Sequence, residues 1–397
     1  MNRAALVAEL KTLCRLIDDR TTQLAPETMQ VHVEEYLDAG SFERELELIF
    51  RRYPCFVGFS SQFARPGDYC ALHIGETPVI VMRNARGEMQ AFLNFCRHRG
   101  SQLLLDGTGC LQKGIRCPYH SWSYDLDGAL RTVPYGDKGF PQLSKAEHSL
   151  IPLQVEEKHG LVFVLPDPRR SFDIDEFLGD MGAELDSWSF ADRHYVETRN
   201  YTVNVNWKLN LDTFGESYHF STVHPETFAK KTYENIATLK EFPNGHRACH
   251  PALVLNEMRR QPEEDWNLNF AMSVVYYIFP STILFIVRGH METFTLLPGR
   301  RPDESITRHQ MYLLDSAAPS SEGDRKAIQE LFDMVSHVLQ NEDYPIVERM
   351  QRNFLGCRDQ KVTFGRNESG LHSMHKLLRR EMARQLNGGS KPRSPAA

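Results

Sequence analysis

The spacing of apolar residues changes twice along the chain. Leu6, Leu10 and Leu13 recur at helical spacing, and residues 42–52 repeat that pattern, which predicts helices over roughly the first 52 residues. From Phe56 short β-rich runs take over, at 69–74, 79–83, 90–95 and 161–165. Turn signals such as Pro66-Gly67-Asp68 and Ala85-Arg86-Gly87 separate them, and residues 124–130 read as a hairpin turning at Gly128. This β-rich unit ends near Pro166-Asp167-Pro168. Beyond it the patterns mix. Residues 201–205 alternate, 274–285 are rich in β-branched and aromatic residues, and 291–297 alternate less strictly. A long helical pattern covers 322–352 and a last helix 371–386, with Lys and Arg in its later turns. The expected organisation is α+β: N-terminal helices (1–55) packing on the last domain, an all-β domain (56–166), a larger domain of antiparallel sheet and helices (167–386) and a mobile Gly/Ser/Pro tail (387–397). No internal repeat is evident.

Composition changes this picture little. The 397 residues leave ample length for two or three domains, and 25% charged and 41% hydrophobic residues are ordinary for a globular protein. A net charge of −6, with no basic segment, argues against a nucleic-acid binder. The start, Met1-Asn2-Arg3-Ala4 with Glu9 and Lys11 soon after, holds no apolar signal core, so a cytoplasmic location is expected. The most apolar stretch, 274–287, is too short for a membrane span, contains Pro280, and reads as buried sheet. Eight irregularly spaced cysteines suggest metal ligands or buried thiols rather than disulfides.

Four residues in two short pairs carry the first chemistry. Cys96-Arg97-His98 and Cys117-Pro118-Tyr119-His120 each follow a β-like run, where a loop is expected. Two thiolates suit one iron and two imidazoles the other, the ligand set of a Rieske-type [2Fe–2S] cluster. A structural zinc site uses the same residue types. It pairs Cys with Cys and His with His at wider spacing, however, whereas one Cys and one His per loop is what a two-iron cluster needs. Cys110 lies between the loops but outside the pattern and reads as a core or loop cysteine. Cys14, Cys55, Cys70, Cys249 and Cys357 have no partner at ligand spacing.

On these segments, Phe95-Cys96-Arg97-His98-Arg99-Gly100 and Cys117-Pro118-Tyr119-His120, the sequence resembles the large (alpha) subunit of Rieske non-heme iron aromatic-ring-hydroxylating oxygenases, over about residues 67–353. The stretch Asn206 to His219, ending at His224-Pro225, resembles that family's mononuclear iron segment. Two imidazoles and a carboxylate hold Fe(II) on one face and leave positions open for O2. His219 and His224 would point about 140° apart on one continuous helix. Pro225 pushes His224 out of the helical region, so His219 is expected at a helix end and His224 just past it. The third ligand implied by the resemblance is Asp343. Periodicity puts both Glu342 and Asp343 on the apolar face of the long helix without choosing between them, and Glu342 is the fallback. Glu216 matches the acidic residue that bridges the two metal centres across a subunit boundary. Many members have Asp there, and some relatives acting on quaternary ammonium compounds have Glu.

The resemblance implies a terminal oxygenase that takes electrons from a separate NAD(P)H-dependent reductase, directly or through a ferredoxin, and uses O2 to hydroxylate an aromatic substrate. A quaternary ammonium substrate, and a pure Rieske electron carrier, are the alternatives. The chain has no Gly-rich dinucleotide fingerprint of its own. The resemblance further implies a homotrimer and leaves open a small beta subunit. Among other residues, Trp122 is expected to shield the cluster. Arg97 and Arg99 attract an acidic donor, are simply solvated, or pair with a neighbouring subunit. Tyr276, Tyr277, Phe279 and Phe285 line a pocket or fill the core. Arg288 reads first as a member of a structural pair and second as an anchor for a substrate carboxylate, and His372 and His375 read as surface histidines.

Overall fold

The helical period of the first residues is realised as α1 (Arg3–Asp18), which buries Val7, Leu10 and Leu13. The structure, a computed structural model, describes residues 1, 3–287, 289–314, 319 and 321–388, and everything below concerns those residues. The remainder of the N-terminal region departs from the expected run of helices. Met29–His32 is a strand, paired antiparallel with Lys361–Phe364. After a 3-10 turn, Val33–Tyr36, α-helix returns at Ala39–Glu45, followed by a π-helical turn, Leu46–Phe50. A four-residue strand whose partner lies near the other end of the chain leaves no local signature, because strand preference is set by its neighbours.

The β-rich unit contains a five-stranded antiparallel sheet, in the order Pro152–Leu153, Met89–Leu93, Thr77–Arg83, Asp68–Ile74, Gly107–Cys110. A three-stranded sheet of Ile115–Arg116, Ser123–Tyr124 and Leu130–Thr132 packs with it. Between them lies a separate small core of Ile80, Met82, Phe92, Leu103, Ile115, Trp122 and Tyr124, in which Cys96 and Cys117 are embedded. The strands Cys55–Phe59, Val155–Lys158 and Leu161–Val164 form another sheet that joins the main core. Phe59 stacks on Phe190 at 4.5 Å and meets Tyr312 at 4.1 Å. This sheet therefore ties the cluster unit to the larger domain.

The largest sheet has seven antiparallel strands: β1 (His194–Val203), β2 (Thr238–Phe242), β3 (Gly245–Pro251), β4 (Met272–Ile278), β5 (Thr282–Val287), β6 (His290–Pro298) and β7 (Ser305–Leu313). Their spatial order is β1-β7-β6-β5-β4-β3-β2. Every residue of β6 is buried, which explains its weak alternation: a strand covered on both faces has no polar side to show. Helix α2 (Glu322–Val338) begins with a capping box between Ser321 and Asp324. It runs into a π-helical turn, Leu339–Asp343, and then α3 (Tyr344–Leu355). The single long helical pattern is thus three pieces. Pro345 accounts for the break, since it has no N–H to donate and its ring would crowd the carbonyl of residue 341 in a regular helix.

Helix α4 (Ser369–Leu386) corrects one expectation: His372 and His375 are buried, not on the surface. His375 Nε2 lies 2.9 Å from Asp212 Oδ1, and His372 Nε2 bonds the Gly365 carbonyl at 3.0 Å. Their partners come from distant segments, so helical spacing alone made them look exposed. The tail from residue 389 and Arg288 lie outside the described residues. No helix among the described residues is long and apolar enough to cross a membrane.

Candidate metal centres and the cavity beside them

The two cluster loops are built alike. Cys96 N–H donates to the Ser101 carbonyl and Gly100 N–H to the Cys96 carbonyl, at 2.9 and 2.8 Å. Cys117 N–H donates to the Trp122 carbonyl and Ser121 N–H to the Cys117 carbonyl, at 2.8 and 3.1 Å. Each loop turns on a residue of positive φ four places after its cysteine, Gly100 (76°) and Ser121 (59°). At Gly100 a Cβ would lie 2.8 Å from the Phe95 ring.

The side chains converge. The His98 and His120 rings are 4.6 Å apart, and both cysteines are buried. Trp122 is buried and stacks on His98 at 4.9 Å and 10°. Burial raises the Cys96 thiol. It works the same way on Cys117, but there the backbone N–H groups of Tyr119 and His120 outweigh it and the thiol is lowered. Burial, then the charges of His120 and Arg99, lower His98 and keep it neutral, as a ligand imidazole must be. His120 Nδ1 is buried with no hydrogen-bond partner among the described residues. An orphaned ring nitrogen beside two buried thiols fits a metal cluster, since nothing in the protein satisfies it. Tyr124 places its hydroxyl 3.6 Å from Cys96 Sγ. Arg97 donates to the Ser149 carbonyl, and the Arg99 guanidinium lies over Tyr119.

The second set sits on the segment after a short helix, Trp207–Asp212, capped by the Asn206 side chain. Trp207 Nε1 donates to Glu45 Oε2 at 2.8 Å and Lys208 pairs with Glu45, all three buried, which clamps this helix to the N-terminal region. His219 immediately precedes the helical turn Phe220–Val223. His224 follows it with φ −119° and ψ 43°, outside the helical region just before Pro225. The ligand atoms of His219, His224 and Asp343 lie within 4.8 Å of one another. Asp343 Oδ1 is 3.1 Å from His224 Nε2 and 3.8 Å from His219 Nε2. Behind the imidazoles stand two glutamates: Glu216 Oε1 is 2.5 Å from His219 Nδ1, and Glu342 Oε2 is 2.6 Å from His224 Nδ1. The π-helical turn lets the consecutive Glu342 and Asp343 reach opposite edges of one ring. Burial lowers His224, but Asp343 and Glu342 outweigh it and the group is raised. Three donors turned on one point, two of them imidazoles oriented by carboxylates, fit a divalent iron.

Beside this triad lies a cavity of about 250 Å³. Six phenylalanines (Phe214, Phe220, Phe228, Phe270, Phe285 and Phe294) line it, with residues of α2 on the other side. Of the aromatic residues singled out in the sequence, Phe285 lines the cavity, while Tyr276, Tyr277 and Phe279 are fully buried in the core. Sequence reasoning missed His250, Lys231, His290 and Glu292, which also line it. Burial pushes His250 down to about 4. His290 and Glu292 stand two apart on β6. A charge inside an apolar strand was the available signal, since such a residue needs a buried partner.

Fold and site together define a two-domain metalloprotein that joins a Rieske-type loop pair to a separate two-histidine, one-carboxylate centre. Residues 54–149 match the Rieske [2Fe-2S] domain family, and residues 187–384 match the family described as ring hydroxylating alpha subunit (catalytic domain). The chain belongs to the Rieske oxygenase alpha-subunit family, whose domains hold a [2Fe–2S] cluster and a mononuclear iron. It is 33% identical over 216 residues to the biphenyl 2,3-dioxygenase alpha subunit of Rhodococcus jostii, covering 53% of this chain and 45% of that protein. It is 32% identical over 193 residues to the glycine betaine monooxygenase oxygenase subunit of Pseudomonas aeruginosa, covering 48% and 44%. The match thus spans less than half the length of these relatives. Among solved structures, the quaternary ammonium Rieske monooxygenase CntA with L-carnitine superposes with a TM-score of 0.73 at 22% identity, over 91% of this chain and 96% of that one. Naphthalene 1,2-dioxygenase from Rhodococcus sp. bound to indole gives 0.72 at 19% identity, over 95% and 98%.

Proposed function

We propose that the chain is the terminal component of a Rieske oxygenase system that hydroxylates a small aromatic substrate with O2. The observation that carries this reading is the triad of His219, His224 and Asp343 opening on an apolar cavity, in the same chain as Cys96, His98, Cys117 and His120. A pure electron carrier has no use for that triad or cavity. When bound, the cluster supplies single electrons and the mononuclear iron supplies the redox chemistry that activates O2.

The chain's own residues do the rest. Glu216 and Glu342 hold the Nδ1 edges of His219 and His224, which leaves both Nε2 atoms turned to the metal position. The phenylalanines bury the ring of the substrate and exclude water. Trp122 covers the cluster position. Electrons come from an NAD(P)H-dependent reductase, directly or through a ferredoxin. The site residues, the homotrimer in which Glu216 links the cluster of one subunit to the iron of the next, the cytoplasmic location and a place in aromatic catabolism belong to the same reading, and its alternative substrate is a quaternary ammonium compound. The similarity to both a biphenyl dioxygenase and a glycine betaine monooxygenase is why both are carried.

Iron analysis tests the core of the proposal. About three irons per chain are expected, against about two for a carrier. O2 consumption should depend on substrate when a surrogate reductase is present. His219→Ala should lose the third iron and turnover while keeping the Rieske absorption and EPR spectra. Loss of those spectra as well would refute the separation of the two sites. Sedimentation should give three times 45.7 kDa for the trimer.

A further inference from the structure

Five of the six phenylalanines of the cavity fall into two groups, and the sixth, Phe270, is 46% exposed and stands at the mouth. Phe214, Phe285 and Phe294 pack on one another, with ring centroids 4.9, 5.6 and 6.4 Å apart. Phe285 and Phe294 belong to β5 and β6, and Phe294 is backed by the His309 ring, stacked on it at 4.4 Å. This side of the wall is set by the close packing of the sheet.

The second group stands at the metal position. Phe220 meets the His219 ring at 5.2 Å and the His224 ring at 5.7 Å. Phe228 meets the His224 ring at 5.1 Å and Phe220 at 5.6 Å. His224 is buried, whereas both phenylalanines are only partly buried. Each ring therefore packs on an iron-ligand histidine and also forms cavity wall. Phe220 lies within the ligand segment, between the two histidines. Phe228 follows that segment, and its carbonyl accepts from the N–H groups of Lys231 and Thr232 at 2.9 and 3.0 Å. Its ring is the part of the iron-side wall that can change without altering the chain from His219 to His224.

The size of the cavity adds a second constraint. An apolar cavity of roughly 150 Å³ takes one benzene ring, so two linked rings need about 300 Å³. The cavity of about 250 Å³ has room for one ring with small substituents but not for two linked rings.

Resting on the oxygenase reading above, we propose that the substrate is a single-ring apolar compound and that Phe228 is the specificity-determining residue that enforces this limit. Its ring fills the space beside His224 that a second ring would take. This separates the chain from the relative named for the two-ring compound biphenyl.

Equilibrium binding to the full chain, loaded with cluster and iron and kept without O2, tests this with toluene and biphenyl. Burying a second ring would favour biphenyl by at least tenfold, so a size limit reverses the order that apolar area alone gives. Biphenyl should bind the wild-type protein no more tightly than toluene. Phe228→Ala should shift the ratio of the two affinities toward biphenyl by at least tenfold. Phe228→Leu, which keeps an apolar contact with His224, should shift it the same way by less, and serves if the Ala variant does not fold or loses its iron. A general loosening of the fold would weaken both probes together and leave the ratio where it was. Tighter binding of biphenyl than of toluene to the wild type, absence of toluene binding, or an unchanged ratio in the folded, iron-loaded variants overturns the inference. Iron content and the cluster spectrum of the same samples separate the two failures. A protein with both metal centres that prefers biphenyl sinks only the size limit, whereas a protein without them sinks the oxygenase reading.

Discussion

Each imidazole of the mononuclear triad is held from behind by a glutamate, and the two glutamates come from different places. Glu216 is three residues from His219 and also accepts from the backbone N–H groups of Tyr218 and His219, so it stiffens the loop as well as the ring. Glu342 comes from the π-helical turn beyond α2 and is further fixed by the Thr227 hydroxyl at 3.1 Å. Glu342→Ala should therefore weaken Fe(II) affinity by about 10- to 100-fold while the cluster spectrum is unchanged, as read by iron titration. At the other candidate centre, the Tyr124 hydroxyl is hydrogen-bonded with Cys96 Sγ at 3.6 Å. Tyr124→Phe removes that bond and should lower the midpoint potential by tens of millivolts in voltammetry, with the absorption spectrum retained. The residues that converge at both candidate centres were legible from sequence. Periodicity could not choose between Glu342 and Asp343, since both fall on one helical face, and the choice of Asp343 came from the resemblance alone. Only the widened turn shows them taking opposite edges of the same imidazole.

At the level of elements, the ligand segment is positioned by what grips its ends. The helix Trp207–Asp212 is anchored to Glu45 by the Trp207 indole and the Lys208 ammonium, in a site where all three are buried. Glu45→Ala would leave Lys208 buried and unpaired and should destabilise the protein by about 3–5 kcal/mol, measured by denaturant unfolding. At the other end Gly370 of α4 approaches so closely that a Cβ would stand 2.2 Å from the Gly215 carbonyl oxygen. Neither contact has a local sequence signature. Short strands and turns of the cluster unit were readable because turn chemistry is local. The strand Met29–His32, the buried faces of α4 and the break at Leu339–Asp343 were not, because their causes lie in distant partners or in how one proline is accommodated.

Across the whole molecule, acid should loosen the catalytic domain through His246 on β3. Burial, with a smaller push from His250, lowers this imidazole to about 3, and its Nδ1 has no hydrogen-bond partner among the described residues. The folded state thus keeps it neutral while the unfolded chain takes up a proton below pH 6.5. The associated stability is fully present above that pH and is lost as pH falls from 6.5 toward 3. At pH 5 this single group should lower stability by about 2 kcal/mol relative to pH 7.5, and His246→Phe should remove that part of the slope in denaturant titrations. By itself, the sequence determined the two-domain plan and the residue types at each metal centre. Cys-x-His, Cys-x-x-His and a histidine before proline are short-range arrangements whose chemistry is set by covalent spacing. The tertiary structure alone decided which ring edge each of the two neighbouring carboxylates takes, which aromatic residues line the cavity, and how Glu292 is hydrogen-bonded by two histidines. Those outcomes depend on which side chains meet across sheets and helices, and hence on packing between segments far apart in the chain.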